Sequence, residues 1–203
     1  MRFINLLSKN NNGNKAAIFS TEGNLTYREL EEKISSMMAE LLRIGVQRQN
    51  KVAILSENSM DYVALIFALW KIGAAPVPIN IKLFPKEIEK QIEIAGCRLL
   101  LIGKSIENEI KIPNIDVVSI HELSSKLKLE YDWDNEFSVD NTAVIIFTSG
   151  STGVPKGVEL SFNNLLQSAM TGERIFKHRE DDRWLASLPF NFKRIYIFTA
   201  GYN

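Results

Sequence analysis

Between Lys51 and Ile102 the chain alternates short apolar, β-prone runs with stretches of helical character, and few folds accommodate that order. Lys51-Val52-Ala53-Ile54-Leu55 is followed by polar Ser56-Glu57-Asn58-Ser59, then by an apolar helix running to about Lys71 that Gly73 ends. Ala75 to Ile79 is a second extended segment, Pro85 opens a helix to about Ala95, and Arg98 to Ile102 is a third strand. Strand, helix, strand, helix, strand predicts parallel βαβ units: an α/β fold with a mostly parallel sheet and flanking helices.

The flanking segments are legible in the same way. Ala16 to Ser20 is a short apolar run, and Glu22-Gly23-Asn24 marks a turn. Thr26 and Glu29 have the spacing of a capping box, in which hydroxyl and carboxylate each accept an orphan backbone N–H at a helix start. Leu30, Ile34, Met37, Met38, Leu41 and Leu42 then recur at helical spacing until Gly45 stops the helix. Beyond Gly103 a weaker strand is predicted over Asp116 to Ile120, and the acidic stretch from Glu130 to Asp140 reads as a surface connector. Ala143 to Phe147 is a continuous apolar strand.

Composition removes several classes of function. At 203 residues one domain with a sizeable core is expected. Lys plus Arg (24) balances Asp plus Glu (24), with no dense basic run, so nucleic acid is not the expected partner. The longest charge-free apolar run, Tyr62 to Trp70, is far short of the roughly 18 to 20 residues of a membrane span. The N-terminal apolar core is too short for a secretory signal. Cys97, the single cysteine, reads as a small buried hydrophobe, which excludes an internal disulfide and suits a cytoplasmic location. His121 and His178 have no partner at ligand spacing and read as solvated surface.

Directly after the Ala143 to Phe147 strand comes Thr148-Ser149-Gly150-Ser151-Thr152-Gly153-Val154-Pro155-Lys156-Gly157. An anionic phosphate needs backbone N–H groups that close around it with no Cβ in the way, and glycines with hydroxyls supply that. The loop carries Gly150, Gly153 and Gly157, the hydroxyls of Thr148, Ser149, Ser151 and Thr152, and the cation of Lys156 at its rim. An ordinary Ser/Gly-rich turn between two strands has a similar composition, but the ten-residue pattern after an apolar strand favours a phosphate loop. The P-loop motif of kinases and NTPases is not met: counting from Gly150, Pro155 replaces its second glycine, and Gly157 stands where a hydroxyl should follow the lysine. No dinucleotide fingerprint follows the early strands.

The loop, with Ile145-Ile146-Phe147 before it and Lys156-Gly157-Val158-Glu159-Leu160-Ser161 after it, resembles the AMP-binding, adenylate-forming superfamily. That group holds acyl-CoA synthetases, aryl-CoA ligases, luciferases and the adenylation domains of peptide synthetases. The resemblance extends through Leu25-Thr26-Tyr27-Arg28-Glu29-Leu30, Val52-Ala53-Ile54 with Asn58, Lys71-Ile72-Gly73-Ala74 and Pro78-Ile79-Asn80, and covers about Ala16 to Phe192. It implies ATP-dependent conversion of a carboxylic acid to an acyl-adenylate with release of pyrophosphate. The acyl group then passes to a thiol, here that of coenzyme A, as in an acyl-CoA ligase. It further implies that Thr148, Ser149, Gly150, Ser151, Thr152 and Gly153 hold the β- and γ-phosphates, that Lys156 neutralises their charge, and that Thr148 touches a magnesium ion. A peptide-synthetase adenylation domain, with a carrier-protein thiol as acceptor, has a similar loop. A non-catalytic module that binds nucleotide or a partner protein is the reading from another class.

The family pattern also has parts with no counterpart in residues 1–203. These are a Tyr-Gly-x-Thr-Glu segment whose glutamate binds magnesium, an aspartate for the ribose hydroxyls, and a small C-terminal domain with a catalytic lysine. Trp184-Leu185-Ala186-Ser187-Leu188-Pro189 matches the strand before the family's Pro-x-x-His-x-x-Gly-like turn, yet Phe192 stands at the histidine and Ile195 at the glycine. Residues 193–203 read as a divergent tail. The expectation is an incomplete large N-terminal domain, truncated by a frameshift just after Phe192; a divergent tail on a deliberately short protein is the alternative. Translation of the downstream DNA in the other frames is then expected to yield the Tyr-Gly-x-Thr-Glu segment, and its absence overturns the frameshift. The chain by itself is expected to be inactive in pyrophosphate exchange with a panel of carboxylic acids; clear turnover would refute this.

Overall fold

The computed structural model describes residues 13–106, 112–123, 138–149, 154–177, 179 and 182–191. Strands β1 (Ala16–Ser20) and β2 (Gly23–Thr26) form an antiparallel hairpin. Next come α1 (Tyr27–Arg43), β3 (Lys51–Leu55), α2 (Met60–Ile72), β4 (Ala75–Pro78), α3 (Pro85–Ala95), β5 (Leu99–Ile102) and β6 (Asp116–Ser119). The last elements are β7 (Thr142–Thr148), β8 (Lys156–Ser161) and α4 (Phe162–Phe176). Strands β4, β3, β5 and β6 lie in that order in one parallel sheet, and β7 pairs with β8 antiparallel. The expected α/β architecture is therefore present.

Helix boundaries follow their local chemistry. The capping box forms as the spacing predicts: Thr26 Oγ1 accepts from the Glu29 N–H at 3.2 Å, and Glu29 Oε2 accepts from the Thr26 N–H at 2.8 Å. Ser59 caps α2 by accepting from the Tyr62 N–H at 3.0 Å, and Gly73 ends that helix at φ +81°, a left-handed conformation that a side chain would strain. A Cβ on Gly73 would also stand 3.0 Å from Arg48 Cγ. Pro85 opens α3, and Glu87 accepts from the Phe84 N–H at 2.9 Å.

At its centre the parallel sheet is covered on both sides, which is why β4, β5 and the Val52–Leu55 part of β3 are apolar runs; the edge strand β6 is more exposed. Along β3, Val52 and Ile54 pack with Leu30, Ile34, Leu65 and Leu69 of α1 and α2. Ala53 and Leu55 pack on the opposite face, with Ile88 and Ile92 of α3. Strand β7 alternates in the same way, Val144 and Ile146 toward the first cluster and Ile145 toward the second.

Strand β7 runs beside β4 but is not laddered to it. The N–H groups of Ala75 and Ile79 donate to the carbonyls of Asn50 and Ile54, so the intervening even positions face away from β3. Those positions are Pro76 and Pro78, which have no N–H to offer β7. A side chain makes the connection instead. Register between β7 and β8 shifts from Thr142 opposite Ser161 to Val144 opposite Leu160, leaving Ala143 without a cross-strand partner. Its buried carbonyl accepts from Trp70 Nε1 of α2 at 2.6 Å, and Trp70 meets Phe67 and Phe162 edge-on, each ring centroid 5.4 Å away.

Two expectations need amendment. Trp184 to Pro189 does not form the strand implied by the family resemblance; the segment is irregular, bends at Leu188, leaves Leu185 largely exposed, and pairs with no strand among the described residues. The hairpin strand β2, the strand β8 and the helix α4 were not predicted as elements. Of the acidic connector only residues 138–140 are described, and they form a turn; residues 130–137, His178, Phe192 and the tail at 193–203 lie outside the described residues. Replacing Trp70 with Phe keeps an aromatic ring but strands the Ala143 carbonyl without its donor. The expected loss is about 1–3 kcal/mol in urea unfolding; a change within error would show that the bond is dispensable.

Candidate functional site

The loop that follows β7 opens at the carboxyl-terminal end of its strand. Because β8 returns antiparallel, it is a hairpin connection, unlike the strand-to-helix turn of a P-loop. Thr148 and Lys156 face each other as the last paired residues of the two strands. Thr148 Oγ1 lies 3.5 Å from the Lys156 carbonyl, at the long limit of a hydrogen bond, so the hydroxyl is only loosely engaged. Gly150, Ser151, Thr152 and Gly153 lie outside the described residues.

Thr148 and Ser149 form part of the wall of a cleft of about 410 Å³. The other walls include Pro78 at the end of β4, Asn80 just beyond it, Glu87, Lys90 and Gln91 of α3, and Asn191. The cleft thus opens where β4 and β7 end, the edge at which ligands of open α/β sheets bind. Lys156 is exposed and does not line it, whereas its neighbour Pro155 does. Two of the predicted site residues are therefore brought to the cleft, and the predicted cation stands at the base of the hairpin loop beside them.

Several cleft residues escaped the sequence reading. Gln91 lies in the apolar stripe of α3 with Ile88, Ile92 and Ala95, and is only 8% exposed. A polar residue inside an apolar helical stripe was the available signal. Asn80 belongs to the Pro78-Ile79-Asn80 stretch that matches the family, but only the fold carries it to the loop.

Two further contacts hold the hairpin. Lys51 Nζ lies 2.8 Å from Glu159 Oε1, and Thr142 Oγ1 donates to Glu159 Oε2 at 3.2 Å. The hydrogen bond from Lys51 holds the Glu159 carboxyl below the usual carboxylate range. Cys97, in the turn before β5, stands at the amino-terminal end of the sheet, away from the cleft. Burial pushes its thiol up to about 12, against the opposing charge of Lys51, so it is no nucleophile at neutral pH. Ser119 Oγ and His121 Nδ1 lie 2.5 Å apart, and His121 is exposed. Among the described residues no cluster of three or more His, Cys, Asp or Glu side chains could hold a metal ion, and no helix is long and apolar enough to cross a membrane.

Comparison with known proteins gives a consistent result. The family model described as AMP-binding enzyme matches residues 8–198. The 2-succinylbenzoate–CoA ligase of Bacillus mycoides (strain KBAB4) is 37% identical over 175 residues, covering 86% of this chain and 36% of that protein. The chain therefore spans about a third of the length of the curated relatives it matches. Among solved structures, O-succinylbenzoate coenzyme A synthetase (MenE) from Bacillus subtilis in complex with AMP superposes with a TM-score of 0.86 at 27% identity, covering 98% of this chain and 51% of that one. The same enzyme in complex with ATP and magnesium ion gives a TM-score of 0.85 at 27% identity, with 98% and 53% covered. The N-terminal subdomain of Klebsiella oxytoca NpsA in complex with 3-hydroxyanthranilyl-AMSN gives 0.82 at 25% identity, with 98% and 50% covered.

Proposed function

Because this chain belongs to the AMP-binding enzymes, we propose that its loop from Thr148 to Gly157 holds the phosphates of ATP while a carboxylic acid is activated. In that reaction a carboxylate oxygen attacks the α-phosphorus, the bond to the β-phosphate oxygen breaks, and pyrophosphate leaves. A thiol then displaces AMP from the acyl group. The relatives' names favour coenzyme A as that thiol, and a carrier-protein thiol is the alternative acceptor. We read residues 1–203 as part of the N-terminal adenylation domain, acting in the cytoplasm.

The observation that carries this reading is the opening of Thr148 and Ser149 into the cleft at the carboxyl ends of β4 and β7. Charge grows on the departing pyrophosphate, so donors fixed in advance at that end of the sheet stabilise the displacement. In this scheme Ser149, Gly150, Ser151, Thr152 and Gly153 donate hydrogen bonds to the phosphates. Lys156 reaches them from the rim as a mobile point charge, which needs no fixed fork geometry. The exposed, loosely engaged Thr148 hydroxyl fits a magnesium contact of the kind in which phosphates and water supply the remaining ligands. Magnesium, when bound, offsets the polyphosphate charge.

Calorimetric titration with ATP and magnesium chloride tests the assignment. Binding should be measurable in the chain as it stands and weaken by roughly tenfold in Lys156→Ala, the loss of one charge-assisted contact. Equal affinity in the two proteins would remove Lys156 from the site, and no binding to the parent chain would refute the phosphate role.

A further inference from the structure

Asn58 lies in the turn between β3 and α2, one residue before the Ser59 cap, and has no part in capping that helix. Its side chain makes two bonds to one distant stretch of backbone. Nδ2 donates to the Leu188 carbonyl at 2.8 Å, and Oδ1 accepts from the Phe190 N–H at 3.0 Å. The Asn58 amide therefore satisfies a backbone acceptor and a backbone donor on either side of Pro189, between the bend at Leu188 and the turn at Phe190. Phe190 completes the contact: its ring centroid lies 4.8 Å from that of Tyr62, which is buried in the first turn of α2. The next residue, Asn191, stands in the wall of the cleft.

We propose that Asn58 is a positioning residue: its amide clamps the Leu188 to Phe190 backbone and so holds the Asn191 side chain at the ATP cleft. The role in ligand binding rests on the ATP reading above; the clamp does not. The amide is specific to the task. Leucine has the volume but neither donor nor acceptor, and an ionised aspartate would set an oxygen against the Leu188 carbonyl.

The test uses the isotopically labelled full chain with Asn58→Leu, Asn191→Ala and the double variant. In Asn58→Leu the Phe190 amide should lose about tenfold of its hydrogen-exchange protection, the order of one lost hydrogen bond. The Asn191 side-chain amide resonances should move, while the Ala53 and Ile54 amides of β3 keep their protection and report an intact sheet. Unchanged Phe190 protection, or unmoved Asn191 resonances, would overturn the proposal. Titration with ATP and magnesium chloride supplies the second readout. Each single variant should bind several-fold more weakly, and the double variant no more weakly than the worse single one, because both substitutions remove one arrangement. Additive losses, or wild-type affinity in Asn58→Leu, would show that Asn58 does not act through Asn191. If the parent chain bound no ATP, the phosphate reading would fail alone, and the Phe190 and Asn191 resonances would still decide the clamp. Should Asn58→Leu unfold, Asn58→Asp at neutral pH takes its place, with displaced Asn191 resonances expected and unmoved ones counting against the clamp.

Discussion

The hydrogen bond from the Trp70 indole to the Ala143 carbonyl joins the two halves of the molecule that must meet for a site to exist. On one side stands the parallel sheet with α1, α2 and α3; on the other stands the β7–β8 hairpin that carries the phosphate loop. No backbone ladder joins β4 to β7, and Pro76 and Pro78 offer carbonyls but no N–H in that direction. The register shift at Ala143 frees a carbonyl, and the indole fills it. Lys51, Glu159 and Thr142 hold the neighbouring region. With the hairpin tethered near its base, its loop is directed to the far end of the sheet.

Apolar burial sets the scale of what these contacts work against. A buried Leu or Ile contributes about 1.5–3 kcal/mol, against about 0–1 for a half-exposed ion pair such as Lys33 with Asp61 at 2.6 Å. Side chains on both faces of β3 therefore dominate the stability of the framework. The polar contacts decide something different, namely where a strand end or an extended segment lies once the faces are covered. Asn58 is the second example: its two bonds to the backbone at Leu188 and Phe190 are exposed, yet they determine which chain lies beside the cleft.

Much of the framework was legible in the sequence because its signals are local. The Thr26–Glu29 capping box, the Leu30 to Leu41 stripe, Gly73 and Pro85 each act within a few residues, and each marks the element boundary it predicts. The central residues of β3, β5 and β7 are apolar because both faces are covered there, and that too is visible in one window of sequence. Strand β8 was harder to see, since its exposed pattern has no buried alternation to read. The strand expected at Trp184 has no pairing partner among the described residues, and pairing between distant segments is not visible in one window of sequence.

The sequence by itself determined the α/β class, the order of the parallel units, membership in a family of AMP-binding enzymes, and the ten residues that suit a phosphate. Those follow from periodicity, caps and a contiguous motif, all of which act over short distances along the chain. Only the tertiary structure decided that Thr148 and Ser149 share a cleft with Asn80, Gln91 and Asn191, and that Lys156 stands outside its lining. These residues are separated by tens of positions, and their meeting depends on β7 lying beside β4, where the Trp70 bond tethers it to α2.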